Sequence, residues 1–154
     1  MVGMRSREQR GFTLIEIMAV VLIIGLLSTI VGVAIFNQVD KARVTTARTQ
    51  IKRLEGALET YRMDNARYPT TEQGLEALVH EPSSEPAPRN FQPGGYIQGG
   101  QIPMDPWSEP YQYESPGQQN PHSFDLWSLG ADNQPGGEGL DADIGNWAEE
   151  SEES

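Results

Sequence analysis

Cysteine is absent from the 154-residue chain. Its absence excludes a disulfide framework, thiolate chemistry and a cysteine-based zinc site, and leaves the compartment open. Basic residues are scarce: 11 Lys and Arg stand against 22 Asp and Glu, for a net charge of −11. A phosphate-binding face needs clustered cations, so nucleic acid is excluded as a partner. Histidine is limited to His80 and His122, each in loop sequence within two residues of a proline. Neither has a neighbouring pattern for a dyad or a metal triad. No G-x-S-x-G, P-loop or dinucleotide fingerprint occurs, and no internal repeat, so no enzyme activity is expected. Proline is missing throughout residues 12–67, which removes the usual helix breaker from that stretch.

What is present is unevenly placed. Residues 1–11 carry Arg5, Arg7 and Arg10 against Glu8, whereas the far end carries Glu138, Asp141, Asp143, Glu149, Glu150, Glu152 and Glu153. Between them, Ile17 to Phe36 contains no charge. As a helix this run is about 30 Å long at roughly 1.5 Å per residue, enough to cross a bilayer core. It is too long for a secretory signal peptide, and no A-x-A-like cleavage site follows Phe36. A retained anchor is expected. Basic flanks stay on the cytoplasmic side, so residues 1–10 belong inside and everything after the run outside. Glu16 sits near the start of the run, where an unpaired carboxylate is penalised by desolvation. Its position fits either a charge kept for a functional reason or a glutamate at the membrane interface that reaches out to water.

The helical pattern continues past Phe36. Ala47, Ile51, Leu54, Leu58 and Tyr61 recur at spacings of four, three, four and three, with Lys52, Arg53, Glu55, Glu59 and Arg62 on the other faces. That is one apolar stripe packed on a core. Pro69 ends the helix, and Thr70 or Thr71 caps a short second one with Leu75, Leu78 and Val79 on its apolar face. Residues 81–103 are rich in Pro, Gly and Ser and read as a long surface loop. Tyr111–Gln112–Tyr113 alternates like a strand, and "SFDLWSLG" gives a second with Phe124, Leu126 and Ser128 on one face. Trp107 and Trp127 are expected in the core. The fold class is α+β: a long N-terminal helix, half membrane and half amphipathic, on a small antiparallel sheet with a loop-rich C-terminal region.

The stretch "LGADNQPGGEGLDADIGNW" (129–147) places Asp132, Asp141 and Asp143 among glycines. Calcium takes oxygens from carboxylates, carbonyls and water, and glycine lets carbonyls turn inward. The spacing is not an EF-hand, since Gln134 and Gly136 occupy positions that pattern gives to Asp or Asn. A calcium loop and a solvated acidic turn both fit the residues.

Gly11, Phe12 and Glu16 after a short basic leader, in "RGFTLIE", closely resemble the class III signal of type IV pilins and type II secretion pseudopilins. "RYPTTEQGLEAL", "DPW…PYQY" and "SLGAD…GGEG…DADIGNW" are similar to segments of the major type II secretion pseudopilins. The resemblance implies cleavage between Gly11 and Phe12 by a prepilin peptidase and N-methylation of Phe12. It implies that Glu16 pairs with a neighbour's terminal ammonium during assembly. It also implies a C-terminal Ca2+ site, with ligands from Asp132, from Asp141 or Asp143, and from the carbonyls of Leu129 and Leu140. The regions that follow are a leader at 1–11, a hydrophobic membrane or filament-core helix at 12–36, an amphipathic helix at 37–67, a periplasmic head at 68–147 and an acidic tail at 148–154. Relatives carry a proline near where Val33 stands, and this chain has none. The implied role is a structural subunit, a single-pass bacterial inner-membrane precursor with its N-terminus in the cytoplasm. It would polymerise into a periplasmic filament that drives folded proteins across the outer membrane. The implied partners are other copies of the chain, the peptidase, minor pseudopilins and the inner-membrane assembly platform. A type IV pilin for adhesion or motility, and an anchored calcium-binding protein that never polymerises, are the alternatives.

Overall fold

The computed structural model describes residues 11–147, with the backbone alone over 30–37. The expected leader (1–10) and acidic tail (148–154) lie outside the described residues. One helix, α1, spans Leu14–Asn65. Its helical assignment is unbroken across Val33, as the lack of a proline there allows. The chain divides into two compact units between Val39 and Asp40.

In the first unit, Phe12, Leu14, Ile15, Leu22 and Leu26 are among many large apolar side chains left exposed. Their only charged companion from residue 12 to residue 29 is Glu16. Two hydroxyls in this stretch turn back onto the helix: Ser28 Oγ donates to the Ile24 carbonyl at 2.7 Å and Thr29 Oγ1 to the Gly25 carbonyl at 3.1 Å. Among the described residues no helix is long and apolar enough to cross a membrane. The expected anchor at 12–36 includes residues whose side chains lie outside the described set.

The second unit holds the core. Ala47, Ile51, Leu54, Leu58 and Tyr61 are all buried, so the spacing-derived stripe is the packed face of α1. They meet Leu75, Leu78, Tyr111, Phe124, Leu126 and Ile144 in a single cluster. Strands β1 (Gln112–Glu114), β2 (Asp125–Ser128) and β3 (Ile144–Gly145) form an antiparallel sheet in that order. Tyr113 stands opposite Leu126, and Ser128 opposite Ile144. Phe124, Leu126 and Ser128 are buried, as the alternation predicts.

Three local readings change. The helix stops at Asn65 rather than Arg67, because Ala66 adopts φ 61° and the chain turns toward Tyr68–Pro69. The expected second helix is one 3-10 turn, Leu75–Leu78, entered through Gly74 at φ 60° with no side-chain cap. Thr70 and Gln73 do bond reciprocally, but around the preceding turn. Trp107 packs against the core. Trp127 instead lies on the opposite side of β2 from Leu126 and pairs with Trp147, ring centroids 5.9 Å apart.

Between the helix and the sheet, polar side chains grip loop backbone. Asn65 donates to the Tyr61 carbonyl and the Tyr96 hydroxyl and accepts from the Asn90 amide. Asp125 accepts from the amides of Gln119 and Asn120 at 2.7 and 3.0 Å. Asn146 accepts from the Leu126 amide and donates to the Phe124 carbonyl, both at 3.0 Å. Tyr111 donates to Gln50, and Tyr113 to the Pro69 carbonyl at 2.8 Å. Burial pushes both phenols well above the ordinary tyrosine value, with the nearby Asp105 charge adding to the effect on Tyr111.

The pH consequence has a definite sign. An acid whose folded pKa is raised contributes stability that is complete below its unfolded value, about 10, and is lost as pH climbs beyond it. Denaturant midpoints should therefore be flat across neutral pH and fall above about pH 10. Tyr113→Phe should lower stability at neutral pH yet show a shallower alkaline decline. Equilibrium unfolding at a series of alkaline pH values checks this, and identical slopes for both proteins would contradict it.

Candidate functional site

Two regions hold the residues singled out by sequence. The first is the start of α1. Gly11 and Phe12 precede the helix and are exposed, with no atom within 4 Å of where a Cβ on Gly11 would stand. Thr13 and Glu16 form a reciprocal cap: the Glu16 amide donates to Thr13 Oγ1 at 3.3 Å, and the Thr13 amide donates to a Glu16 carboxylate oxygen at 3.5 Å. The signal for this cap, T-x-x-E, lies within "RGFTLIE". A carboxylate in the first turn also complements the positive end of the helix dipole. Glu16 therefore has a local partner within the single chain, held by a long and breakable contact, and remains exposed.

The second region is the loop from Leu129 to Trp147. Its entry is set by a buried relay that sequence reasoning missed. Asp105 accepts from the amides of Trp107 and Glu109, each at 2.9 Å, and from the Ser128 hydroxyl. Ser128 Oγ in turn accepts from the Gly130 amide at 3.2 Å. The available signal was an Asp followed by Pro, the pattern of a side chain that caps its own turn. Gly130 has φ 71°, and a Cβ there would stand 2.8 Å from the Ala142 carbonyl oxygen and 2.9 Å from that of Leu140. The Ala131 amide closes the loop by donating to the Leu140 carbonyl at 2.9 Å. Gly137 is similarly pressed by the Asp141 carbonyl.

The three aspartates differ in their surroundings. Asp132 and Asp141 are exposed, and Asp132 accepts from the Gln134 amide at 3.0 Å. Asp143 is half-buried: one carboxylate oxygen accepts from the Gly136 amide at 3.1 Å, and the other is buried without a partner. Among the described residues, no group of three or more His, Asp or Glu side chains is placed to hold a metal ion. The structure thus brings together the carbonyls of Leu140 and Ala142 over Gly130 and the Asp143 carboxylate over Gly136, and does not gather all three carboxylates. These are hard oxygen donors on glycine-shaped backbone, and one Asp143 oxygen is buried among them without a hydrogen-bond donor.

Gly130→Ala should open this loop, because the new methyl meets backbone on one side and requires a left-handed conformation on the other. The expected cost is about 1–3 kcal/mol. Hydrogen exchange at the Ala131 amide, which reports the closing bond to Leu140, should accelerate much more than exchange at core positions of α1 such as Leu58.

Comparison with known proteins covers both regions. The family described as type II secretion system (T2SS), protein G matches residues 34–147, and the prokaryotic N-terminal methylation motif matches residues 6–32. The chain is 51% identical over 144 residues to the type II secretion system core protein G of Pseudomonas aeruginosa, covering 94% of this chain and 99% of that one. It is 50% identical to the protein of the same name from Vibrio cholerae, covering 93% of this chain and 94% of that one. Among solved structures, the major pseudopilin from the type 2 secretion system of enterohaemorrhagic Escherichia coli superposes with a TM-score of 0.63 at 45% identity, covering 73% of this chain and 92% of that one.

Proposed function

Since the chain belongs to the type II secretion system protein G family, the major pseudopilins, we propose that the two regions above are the assembly end and the stabilising loop of a pseudopilus subunit. The protein is a structural subunit of the type II secretion system that assembles into its pseudopilus. The methylation motif spanning residues 6–32 implies processing by a prepilin peptidase.

One observation carries the finer reading. The N-terminal unit leaves a long row of apolar side chains exposed in the single chain, with Glu16 as the lone charge among residues 12–29. Surface of this kind requires a cover, first lipid and then neighbouring helices. In our reading, cleavage after Gly11 makes Phe12 the first residue. Its ammonium then stands near a neighbour's Glu16, which exchanges its weak bond to the Thr13 amide for a charge-assisted one. The precursor crosses the inner membrane once with its N-terminus in the cytoplasm and its head in the periplasm. The assembly platform and minor pseudopilins are its further partners, and its role requires no catalysis.

We also assign a calcium ion to the C-terminal loop. Asp143, together with Asp132 or Asp141 and the carbonyls of Leu129 and Leu140, would hold it. The ion supplies positive charge to a loop whose aspartates otherwise repel one another. The chain's own part is to hold that loop in place: Ser128 fixes its entry, Gly130 and Gly137 admit the carbonyls, and Asn146 fixes its exit. With no cysteine in the chain, such an ion is the cross-link available to this region.

Two measurements test these readings. Protein from host membranes should begin at N-methylated Phe12 by intact mass. Glu16→Ala should be processed equally well yet yield roughly tenfold less pelletable filament, since each contact loses one partner of a desolvated pair. Undiminished filaments would sink the role given to Glu16. For the loop, saturating calcium should raise the melting temperature of the wild-type protein by about 4 °C or more. Magnesium should do much less, and Asp143→Asn should abolish most of the gain. A melting curve unmoved by calcium would remove the metal.

A further inference from the structure

Among the described residues, β1 bonds to β2 on one side and to no strand on the other. The direction of its backbone groups follows from its neighbours. The Leu126 amide donates to Asn146 Oδ1 and the Leu126 carbonyl accepts from the Asn146 amide, so both point toward the end of β3. Tyr113, opposite Leu126, therefore stands in a non-hydrogen-bonded pair and turns its own amide and carbonyl away from β2. Two residues on, the amide and carbonyl of Ser115 both meet Thr71 Oγ1, which lies on that outer side. The Tyr111 carbonyl points the same way, because it opposes the inward Gln112 amide across a planar peptide. Among the described residues, nothing accepts from the Tyr113 amide or donates to the carbonyls of Tyr111 and Tyr113.

An open groove of about 930 Å³ borders this edge. Val79, Ile102 and Met104 supply an apolar wall, and Glu76 brings a carboxylate to it. Met104 is 58% exposed and Glu76 is exposed. No Lys or Arg lines the groove. The sequence around it has the same sign: Arg89 is the only Lys or Arg from residue 68 to residue 147, whereas Glu72, Glu109 and Glu114 flank the lining segments. Unpaired edge groups match the backbone of an extended strand. The wall matches apolar side chains on alternate residues, and the carboxylates match a cation.

We propose that the outer edge of β1 takes one extended segment of another protein, in which apolar residues alternate with Lys or Arg. Its backbone bonds to the Tyr111 carbonyl and to the amide and carbonyl of Tyr113. Its apolar side chains lie on Ile102 and Met104, and a cation meets Glu76. The ladder is short because both ends are already occupied: Thr71 takes Ser115, and Asp105 takes the amide and carbonyl of Glu109. A second copy does not bring such a segment from its head, since Arg89 follows Pro88, which has no amide to donate. The inference rests on the strand edge, the groove and its charge, and does not depend on the filament role.

Full-length protein in a non-ionic detergent, titrated with short synthetic peptides of alternating Val and Lys, supplies the test. Solvent exchange of the Tyr113 amide, read by NMR, should slow roughly tenfold at saturation, while the amide of exposed Gln118 should not change. Peptides N-methylated at the residues whose amides face β1 should bind roughly tenfold more weakly. Peptides with Glu in place of Lys should not bind. Glu76→Gln, at an exposed position, should weaken the lysine peptides roughly threefold. Equal binding of parent and N-methylated peptides, or no slowing at Tyr113 with any lysine peptide, would overturn the proposal. Slowing at Tyr113 that follows protein concentration alone would place a second copy on the edge, and would overturn it as well.

Discussion

The buried carboxylate of Asp105 is the joint on which the head depends. It holds the turn after Met104 through the amides of Trp107 and Glu109, and holds β2 through Ser128. Ser128 passes that constraint to Gly130 and so to the C-terminal loop. Strand pairing alone could not do this, because β1, β2 and β3 contribute only three, four and two residues. A sheet that small gives little independent stability. Charge-assisted hydrogen bonds to buried backbone amides, each worth about 1.5–3 kcal/mol, supply the missing order. The same device recurs at Asp125 and, in neutral form, at Asn65 and Asn146, so the loops of this head are organised by side chains rather than by ladders.

Where a pattern is periodic, the sequence was readable. The α1 stripe from Ala47 to Tyr61 and the alternation of Phe124, Leu126 and Ser128 each follow from a backbone repeat, and each is buried. The polar joints were not readable. Asn65 bonds to residues 25 and 31 positions away, and Asn146 to one 20 positions away. No local spacing encodes such a partner. Trp127 shows the cost of reading hydrophobicity without parity: adjacent to Leu126 on a strand, it must face the other way. The short helix failed for a different reason, since Gly74 enters a left-handed conformation just before the apolar residues that would have extended it.

The candidate sites divide along the same line. Gly11, Phe12 and Glu16 lie within six residues of one another, so their grouping is legible in one dimension, and the structure adds the Thr13 cap that holds Glu16 in the single chain. In the acidic loop, composition identified the oxygens but not their orientation. Asp132, Asp141 and Asp143 look equivalent in sequence, yet only Asp143 keeps a buried oxygen without a partner. Its other oxygen is taken by the amide of Gly136, seven residues earlier, a pairing that composition does not reveal.

Ser28 and Thr29 spend their hydroxyl protons on carbonyls one turn back in their own helix. Neither needs water nor a polar partner from elsewhere. An apolar surrounding would therefore leave the hydrogen bonding of these two side chains untouched. Glu16 is the exception: it is the one charged side chain from residue 12 to residue 29, and its carboxylate alone would bear the full cost of leaving water.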